Sequence, residues 1–545
     1  MIRIIFGNST NVLAETAIRL LWFFFYIVNV FKHTIERFFP TALSRLDARL
    51  GGDKSKLFAV RRGLLWLGRG CGAYARIPNL KISASAIASF QSGTVARWLI
   101  AKIITNQKLF NCLASVAERS FQRAVRAAPL WIDAQRALGY MMLFQGRRYE
   151  AMAQLGNAES LRDKLALRAG LEPDRKVFLP HEMSKVLGLL GHMDAYVKHR
   201  ILNNDQRPYY LLARDGEIVN RPFLEYWRDY INLITDAAEI DKLSVDEAIY
   251  GVGWLAVMPR KNGVAHVHSV IAGLQRQWSV EQRAPLLRLR VEHAELLATQ
   301  KKKWGMSEND WFICLHVRSS GFHGQMQGGA EDFRNAPIET YYPLIRSIVA
   351  AGGWVVRMGD SSMPPLEMTQ CGNSGQLIDY ALSASKTSEM DIALCASCRL
   401  FVGQSSGLHT VPHAFGRPCC LVNIPFNVGF PWHVEDVFIP KLYFSMRKNR
   451  ILTLEEILSS DIVQADNQFL LSAHEVTLLP NSADDITETV TEALRPDGYS
   501  VEREEIALST LEKFSKLNEK YKTEISGQLG RYFAMKHAQQ LIPNS

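Results

Sequence analysis

Three groups of polar residues stand at the ends of strongly apolar runs, and their types suit the binding of an anion. Trp311-Phe312-Ile313-Cys314-Leu315-His316-Val317 leads straight into Arg318. Trp354-Val355-Val356-Arg357-Met358 breaks at Gly359-Asp360, and Leu400-Phe401-Val402 runs through Gly403 into Gln404-Ser405-Ser406-Gly407. A guanidinium takes phosphate oxygens two at a time. A Ser-Ser-Gly turn at a helix start adds free backbone N–H groups and a favourable dipole. Arg318, Arg357 and this turn together describe a pyrophosphate site, with His316, Gly359, Asp360 and Gln404 beside it. Each has a structural alternative: an ion pair for either Arg, a packed core ring for His316, a plain helix cap for the serines. Asp391, three residues after Ser388, reads as part of a capping box.

The apolar runs must be strands, because residues covered on both faces of a parallel sheet are apolar without alternation. Between them lie helical stretches, at about 338–351, from near Ser388, and from about His409 to Phe415. Strands alternating with helices through short loops predict a doubly wound α/β sheet, which binds ligands beyond its strand ends. This second α/β domain is placed at 304–483. A mixed segment at 171–303, with strands such as Tyr209-Tyr210-Leu211-Leu212, reads as a first, acceptor-side α/β domain, and 484–545 as a helical tail packing back on the enzyme.

Ahead of these, 98–170 is helical. Ala117, Phe121, Ala124, Pro129, Leu138, Gly139, Ala151 and Leu155 follow the 34-residue spacing of a tetratricopeptide repeat. That segment is either a groove for a protein partner or a helical hairpin packed on the enzyme. Residues 1–97 are basic; the first hundred residues carry 14 Lys+Arg against 4 Asp+Glu, within a net charge of +9 for the whole chain. They hold the apolar run Leu20–Val28, which Glu15, Arg19 and Asn29 cut short of a bilayer span of about 20 residues. An interfacial helix on an anionic membrane is one role for it, and a buried helix the other. No RNA-binding or zinc-finger pattern accompanies the charge, so nucleic acid is not an expected partner.

At 545 residues and 47% apolar the chain can bury several cores. Its eight cysteines form no disulfide framework. Cys395 and Cys398 make a CxxC without a second ligand pair, and read as packed residues, as do Cys419 and Cys420. A cytoplasmic location, peripheral on the inner face of the membrane, follows. There is no Walker loop and no GxGxxG after a strand, which argues against phosphoryl and hydride transfer.

The same residues carry a family resemblance. His316-Val317-Arg318 resembles the His-Val-Arg element of the α-1,6- and protein O-fucosyltransferases, in which the Arg holds the donor's pyrophosphate. Asp391 to Leu394 and Phe401 to Gly407, with Pro412, Phe415-Gly416 and Pro418, are similar to the donor-domain signature of that group and of bacterial heptosyltransferases. From about Val177 onward, with Gly191-His192, Asn220-Arg221-Pro222 and Arg334-Asn335, the chain resembles a bacterial glycosyltransferase family often joined to tetratricopeptide repeats. Ser319 stands where the fucosyltransferases often have a second Arg, and Ser405 where the heptosyltransferase turn often begins with Asp, so neither donor is implied. The resemblance implies a GT-B fold of two facing Rossmann-like domains. It also implies sugar transfer from a nucleoside diphosphate to a hydroxyl of a glycan, lipid-linked or protein acceptor, in surface polysaccharide or glycoconjugate synthesis.

In that expectation Arg318 and the Ser405-Ser406-Gly407 turn hold the pyrophosphate, and no metal or other cofactor is required, since no DxD motif follows a strand. His192, after Gly191 in the first domain, is the expected acceptor-side base, with His323 as another. A non-catalytic scaffold that gathers partners at a membrane is the competing class.

Overall fold

The small-residue spacing ahead of the first strand folds as four helices: α1 (Ala84–Lys102), α2 (Gln107–Ala127), α3 (Ile132–Phe144) and α4 (Arg148–Arg168). The computed structural model describes residues 77, 82–102, 106–253, 257–260, 263–319, 329–372, 375–426, 431–521, 523 and 525–542. The apolar N-terminal run and His323 lie outside these residues. Asn106 starts α2 by accepting the N–H groups of Lys108 and Leu109 at 2.9 and 3.2 Å. Gly139 of α3 lets Leu155 of α4 close in, since a Cβ there would lie 2.8 Å from Leu155 Cγ.

These helices pack across both α/β units. On one side Phe110 stacks on Phe469, with ring centroids 4.5 Å apart, and Asn467 Nδ2 donates to the Phe144 carbonyl at 3.0 Å. On the other, Arg162 Nη2 donates to the Tyr250 carbonyl at 3.2 Å, Arg136 bonds the Gly251 carbonyl, and Glu159 joins the two guanidiniums. Phe178 and Tyr250 sit in the helices' own core. The helical segment is thus packed on both α/β units.

The first α/β unit is a parallel sheet of β1 (Val177–Leu179), β2 (Tyr209–Leu212) and β3 (Asn232–Ile234), in that order, with Leu179, Leu211 and Leu233 in register. Helices α5 (Leu187–Gly191) and α6 (Met193–Leu202) follow β1, α7 (Arg221–Glu225) follows β2, and α8 (Ala237–Tyr250) follows β3. An antiparallel pair, β4 (Val257–Arg260) and β5 (Gly263–His266), then leads to α9 (Val267–Val280) and α10 (Val291–Lys303).

The second unit alternates β6 (Phe312–Leu315), α11 (Tyr342–Ala350), β7 (Trp354–Arg357), β8 (Leu377–Ile378), α12 (Ser388–Ser397), β9 (Leu400–Gly403), α13 (Thr410–Ala414), β10 (Cys419–Ile424) and β11 (Val437–Pro440). A three-stranded antiparallel sheet of β12 (Leu442–Ser445), β13 (Arg450–Ile451) and β14 (Val476–Leu479) follows. The segment after it is not only helical: besides α14 (Ala483–Leu494) and α15 (Glu504–Tyr521) it supplies β15 (Gln528–Leu529). The main sheet is parallel throughout, in the order β15-β11-β10-β9-β6-β7-β8. The expected tail is thus part of the second unit. Ile313, Cys314, Leu315, Val355, Val356, Phe401 and Val402 are wholly buried, as their unbroken apolar runs require.

One other local expectation changes. Helix α12 is capped by Thr387, whose side chain accepts the Met390 N–H, while Asp391 pairs with Lys386 at 2.7 Å. Cys395 and Cys398 lie with Cys314 in the core, and burial raises the Cys314 and Cys395 thiols, so they behave as apolar residues.

The two units meet where glycines allow it. A Cβ on Gly407 would stand 2.7 Å from the Gly188 nitrogen, and one on Gly191 would stand 2.0 Å from Thr410 Oγ1. Helix α5 thereby lies against the turn after β9. The two facing α/β units expected for a GT-B protein are present.

Phe469 is the apolar link between the helical segment and the second unit. Phe469→Ala should cost about 3 kcal/mol. Its measurable sign is faster tryptic cleavage between Arg168 and Lys176 at a temperature where wild type resists. Unchanged cleavage and melting would show that the helices do not depend on that contact.

Candidate anion site at the reversal of strand order

From β6 the chain runs outward through β7 and β8, then returns to β9 on the other flank of β6 and runs outward again through β10 and β11. Doubly wound sheets bind ligands in the crevice beyond the carboxyl ends of the strands at such a reversal, here β6 and β9. His316, Val317 and Arg318 leave β6, and Gln404 to Gly407 leave β9. The register brings them together: Leu315 pairs with Val402, and the His316 N–H donates to the Val402 carbonyl at 2.9 Å.

Gln404 is wholly buried, and its Oε1 accepts the Arg318 N–H at 2.6 Å. Near it lies the buried hydroxyl of Tyr341, which accepts from Asn423 Nδ2 at 3.0 Å. The backbone that aims Arg318 is thus fixed from inside the core. The Arg318 guanidinium is itself buried, with Glu331 at 3.8 Å. Burial and then the neighbouring Arg334 pull its pKa down to about 10, which leaves it charged at neutral pH. His316 Nδ1 meets Ser406 Oγ at 3.2 Å. Burial, then the charge of Arg318, lowers the His316 pKa to about 4, so the ring is neutral at physiological pH.

Two further cations converge here. Arg334 places Nε and Nη2 on the Ser405 carbonyl, at 3.0 and 2.5 Å, and its Nη1 on Glu331. Lys441, directly after β11, is 4% exposed, and its Nζ donates to the carbonyls of Phe333 and Asn335 at 2.9 and 2.6 Å. Arg334 entered the sequence reading only through the Arg334-Asn335 likeness, and Lys441 not at all. The signal for Lys441 is the one that marks Arg318: a cation following Val437-Phe438-Ile439-Pro440, an apolar strand.

Arg357 departs from expectation. Its Nη1 lies 2.9 and 3.1 Å from the two Asp379 oxygens, and its Nη2 donates to the Pro364 carbonyl at 2.9 Å. Asp379 also accepts the Leu366 N–H. Strand β7 lies on the flank of β6 away from β9, so its end points outside the crevice, and the guanidinium braces the loop between β7 and β8. Gly359, at φ +148°, packs so tightly that a Cβ would lie 2.2 Å from Met363 Sδ. Asp360 turns the chain by accepting the Ser362 N–H at 2.8 Å. These three shape a loop next to the site.

The Ser405-Ser406-Gly407 turn also differs in detail. It enters a 3-10 turn, Gly407–His409, before the five-residue α13. So short a helix has little dipole. What the turn contributes is Ser406 Oγ on His316, the Ser405 carbonyl under Arg334, and the Gly407 backbone against α5. His192 lies at the same seam, buried, with its ring centroid 5.7 Å from that of Trp432.

His413, Cys419 and Asp436 gather metal-ligand types within 4.8 Å of one another. Asp436 is already engaged by His413 Nε2 at 2.7 Å and by the N–H groups of Cys419 and His433 at 2.8 and 3.0 Å. That arrangement ties α13 to β10 and β11 as a structural brace.

No protein-family model and no curated protein sequence matches the chain. Among solved structures, it is similar to a family 9 glycosyl transferase from Veillonella parvula, at 11% identity and a TM-score of 0.39, over 59% of this chain and 98% of that one. It is also similar to ADP-heptose lps heptosyltransferase II of E. coli, at 15% identity and a TM-score of 0.29, over 45% of this chain and 84% of that one. An E. coli heptosyltransferase with ADP gives 11% identity and a TM-score of 0.27, over 49% and 91%. At identities and TM-scores this low, function must be argued from this chain's own residues.

If Arg357 is a brace, its partner matters to stability. Asp379→Asn leaves a buried guanidinium half-paired and should cost roughly 3 kcal/mol. The folded variant, assayed below its lowered melting temperature, should bind diphosphates as wild type does. Weakened binding at full folding would return Arg357 to the anion site.

Proposed function

We propose that this protein is a glycosyltransferase that takes a sugar from a nucleoside diphosphate and passes it to a hydroxyl acceptor. The observation that carries the reading is the convergence of Arg318, Arg334 and Lys441 at the reversal of strand order. Among the described residues, Glu331 and Asp332 stand against them as counter-charges. Buried like charges are costly unless an anion joins them, and a diphosphate carries the charge and the oxygens to do so. In transfer, negative charge grows on the leaving diphosphate. Fixed cations waiting for that charge are usually the largest catalytic contribution.

The sugar would lie between the units, with the acceptor approaching from the first. We place the acceptor-side base at His192, because its loop abuts the turn after β9. The cations supply the charge that a divalent metal would otherwise bring, so the proposed reaction is independent of metal. The role in surface polysaccharide or glycoconjugate synthesis, and attachment to the membrane or to a protein partner, belong to the same proposal.

Thermal shift against UDP, GDP, CDP, ADP and dTDP, with and without EDTA, tests the donor half. One diphosphate should raise the melting temperature regardless of EDTA, and Arg318→Ala should abolish that rise while the apo protein melts normally. No shift with any of the five would overturn the reading in favour of the scaffold.

The acceptor half has its own test. His192→Asn should lower kcat roughly 100-fold with the diphosphate affinity unchanged. Equal loss in binding and turnover would make His192 a packing residue of the seam.

A further inference from the structure

Lys441 is the least conventional member of the cation group. Lysine is seldom fully buried without a carboxylate partner, and this Nζ donates to two carbonyls, those of Phe333 and Asn335. These carbonyls belong to the loop that carries Glu331, Asp332 and Arg334. Arg334 in turn grips the Ser405 carbonyl. A single ammonium therefore fixes the loop between β6 and α11 to the end of β11. Its charge is felt by Arg318, and Asp332 partly offsets it.

We propose that Lys441 is the third cation of the diphosphate site, and that binding of the diphosphate is coupled to protonation of its Nζ. The proposal rests on the diphosphate reading of the site and adds a proton to it. Burial is the main cause that lowers this ammonium, to about 8, and the like charge of Arg318 works in the same direction, against Asp332. Arg318, held at about 10, stays largely protonated up to pH 9. A diphosphate brought beside the group favours its charged form and raises its pKa again. In the empty protein Nζ is half-neutral near pH 8; in the complex it is charged. Above pH 8 each binding event therefore draws a proton from solvent, and affinity falls as pH rises. Below about pH 7 both states are charged and the coupling vanishes. The ligand's own last ionisation, near pH 6, is complete before this window.

Titration calorimetry in two buffers of different ionisation enthalpy reads the proton directly, with the diphosphate that gives the thermal shift as probe. Wild type should take up about half a proton at pH 8 and more at pH 9. Its Kd should rise about fivefold to tenfold across that unit of pH, the limit being tenfold per unit for one linked proton. Lys441→Arg keeps the charge at every pH, so it should bind with no proton uptake and a nearly flat Kd. Lys441→Met should bind more weakly at pH 7, again without uptake. If that variant fails to fold, the Arg variant still decides the matter. Wild-type binding without uptake, or uptake retained in Lys441→Arg, overturns the coupling while leaving the diphosphate site in place. Absence of wild-type binding to any diphosphate overturns the site itself.

Discussion

A buried guanidinium costs several kcal/mol unless its charge and its N–H groups are met, and the second unit is arranged around meeting that cost at one place. Arg318 sits at the end of an interior strand of a seven-stranded sheet, where the chain must either pair the charge or present it to a ligand. Its backbone is held by Gln404, its near counter-charge is Glu331 at 3.8 Å, and Arg334 and Lys441 add charge of the same sign. Pure stability would have selected a better partner or an apolar residue. The excess of positive charge is what a ligand-binding role predicts, because an arriving anion then relieves repulsion already stored in the fold.

The remaining architecture keeps this spot in shape. Parallel strands have no say in where their loops go, but the return of the chain from β8 to β9 sets a reversal of strand order, beyond which such sheets bind ligands. The helical segment then spans the units: Phe110 and Asn467 fasten it to the second, and Arg136 and Arg162 to the first. Gln468 donates its N–H to Ala330, beside Glu331, so the same fastening reaches the loop that carries Arg334. Repeat-like helices here hold the two units of one chain in register, and the glycines at 188, 191 and 407 let the units close to backbone contact.

Much of this could be read from the residues. Unbroken apolar runs ending in polar residues located three strands of the main sheet, and the rule that ligands bind at strand ends singled out Arg318, Gln404 and the serines. What stayed hidden depends on contacts far apart in sequence. Nothing near Arg357 shows that Asp379, twenty-two residues on, accepts both of its strongest bonds. Lys441 sits outside the expected motif block, and lysine is so often solvated that its place after an apolar strand is easily passed over. The edge strand at Gln528–Leu529 is two residues long and joins the sheet only because β11 offers a free edge. Thr387 rather than Ser388 caps α12, a shift of one residue that pattern alone does not resolve.

Arg318 and Arg357 make the limit concrete. Each follows or ends an apolar strand, each is almost wholly buried, and in the sheet their strands are neighbours, with Leu315 opposite Arg357. Their different fates come from strand order alone. The neighbour of β6 on one side is β9, reached after the chain reverses, so Arg318 stands beside the turn after β9. The neighbour of β7 on its outer side is β8, reached directly, so the loop at Arg357 is covered by the connection that carries Asp379 to it. Sequence gives the strands but not their order, and the order decides which buried cation stands at the reversal.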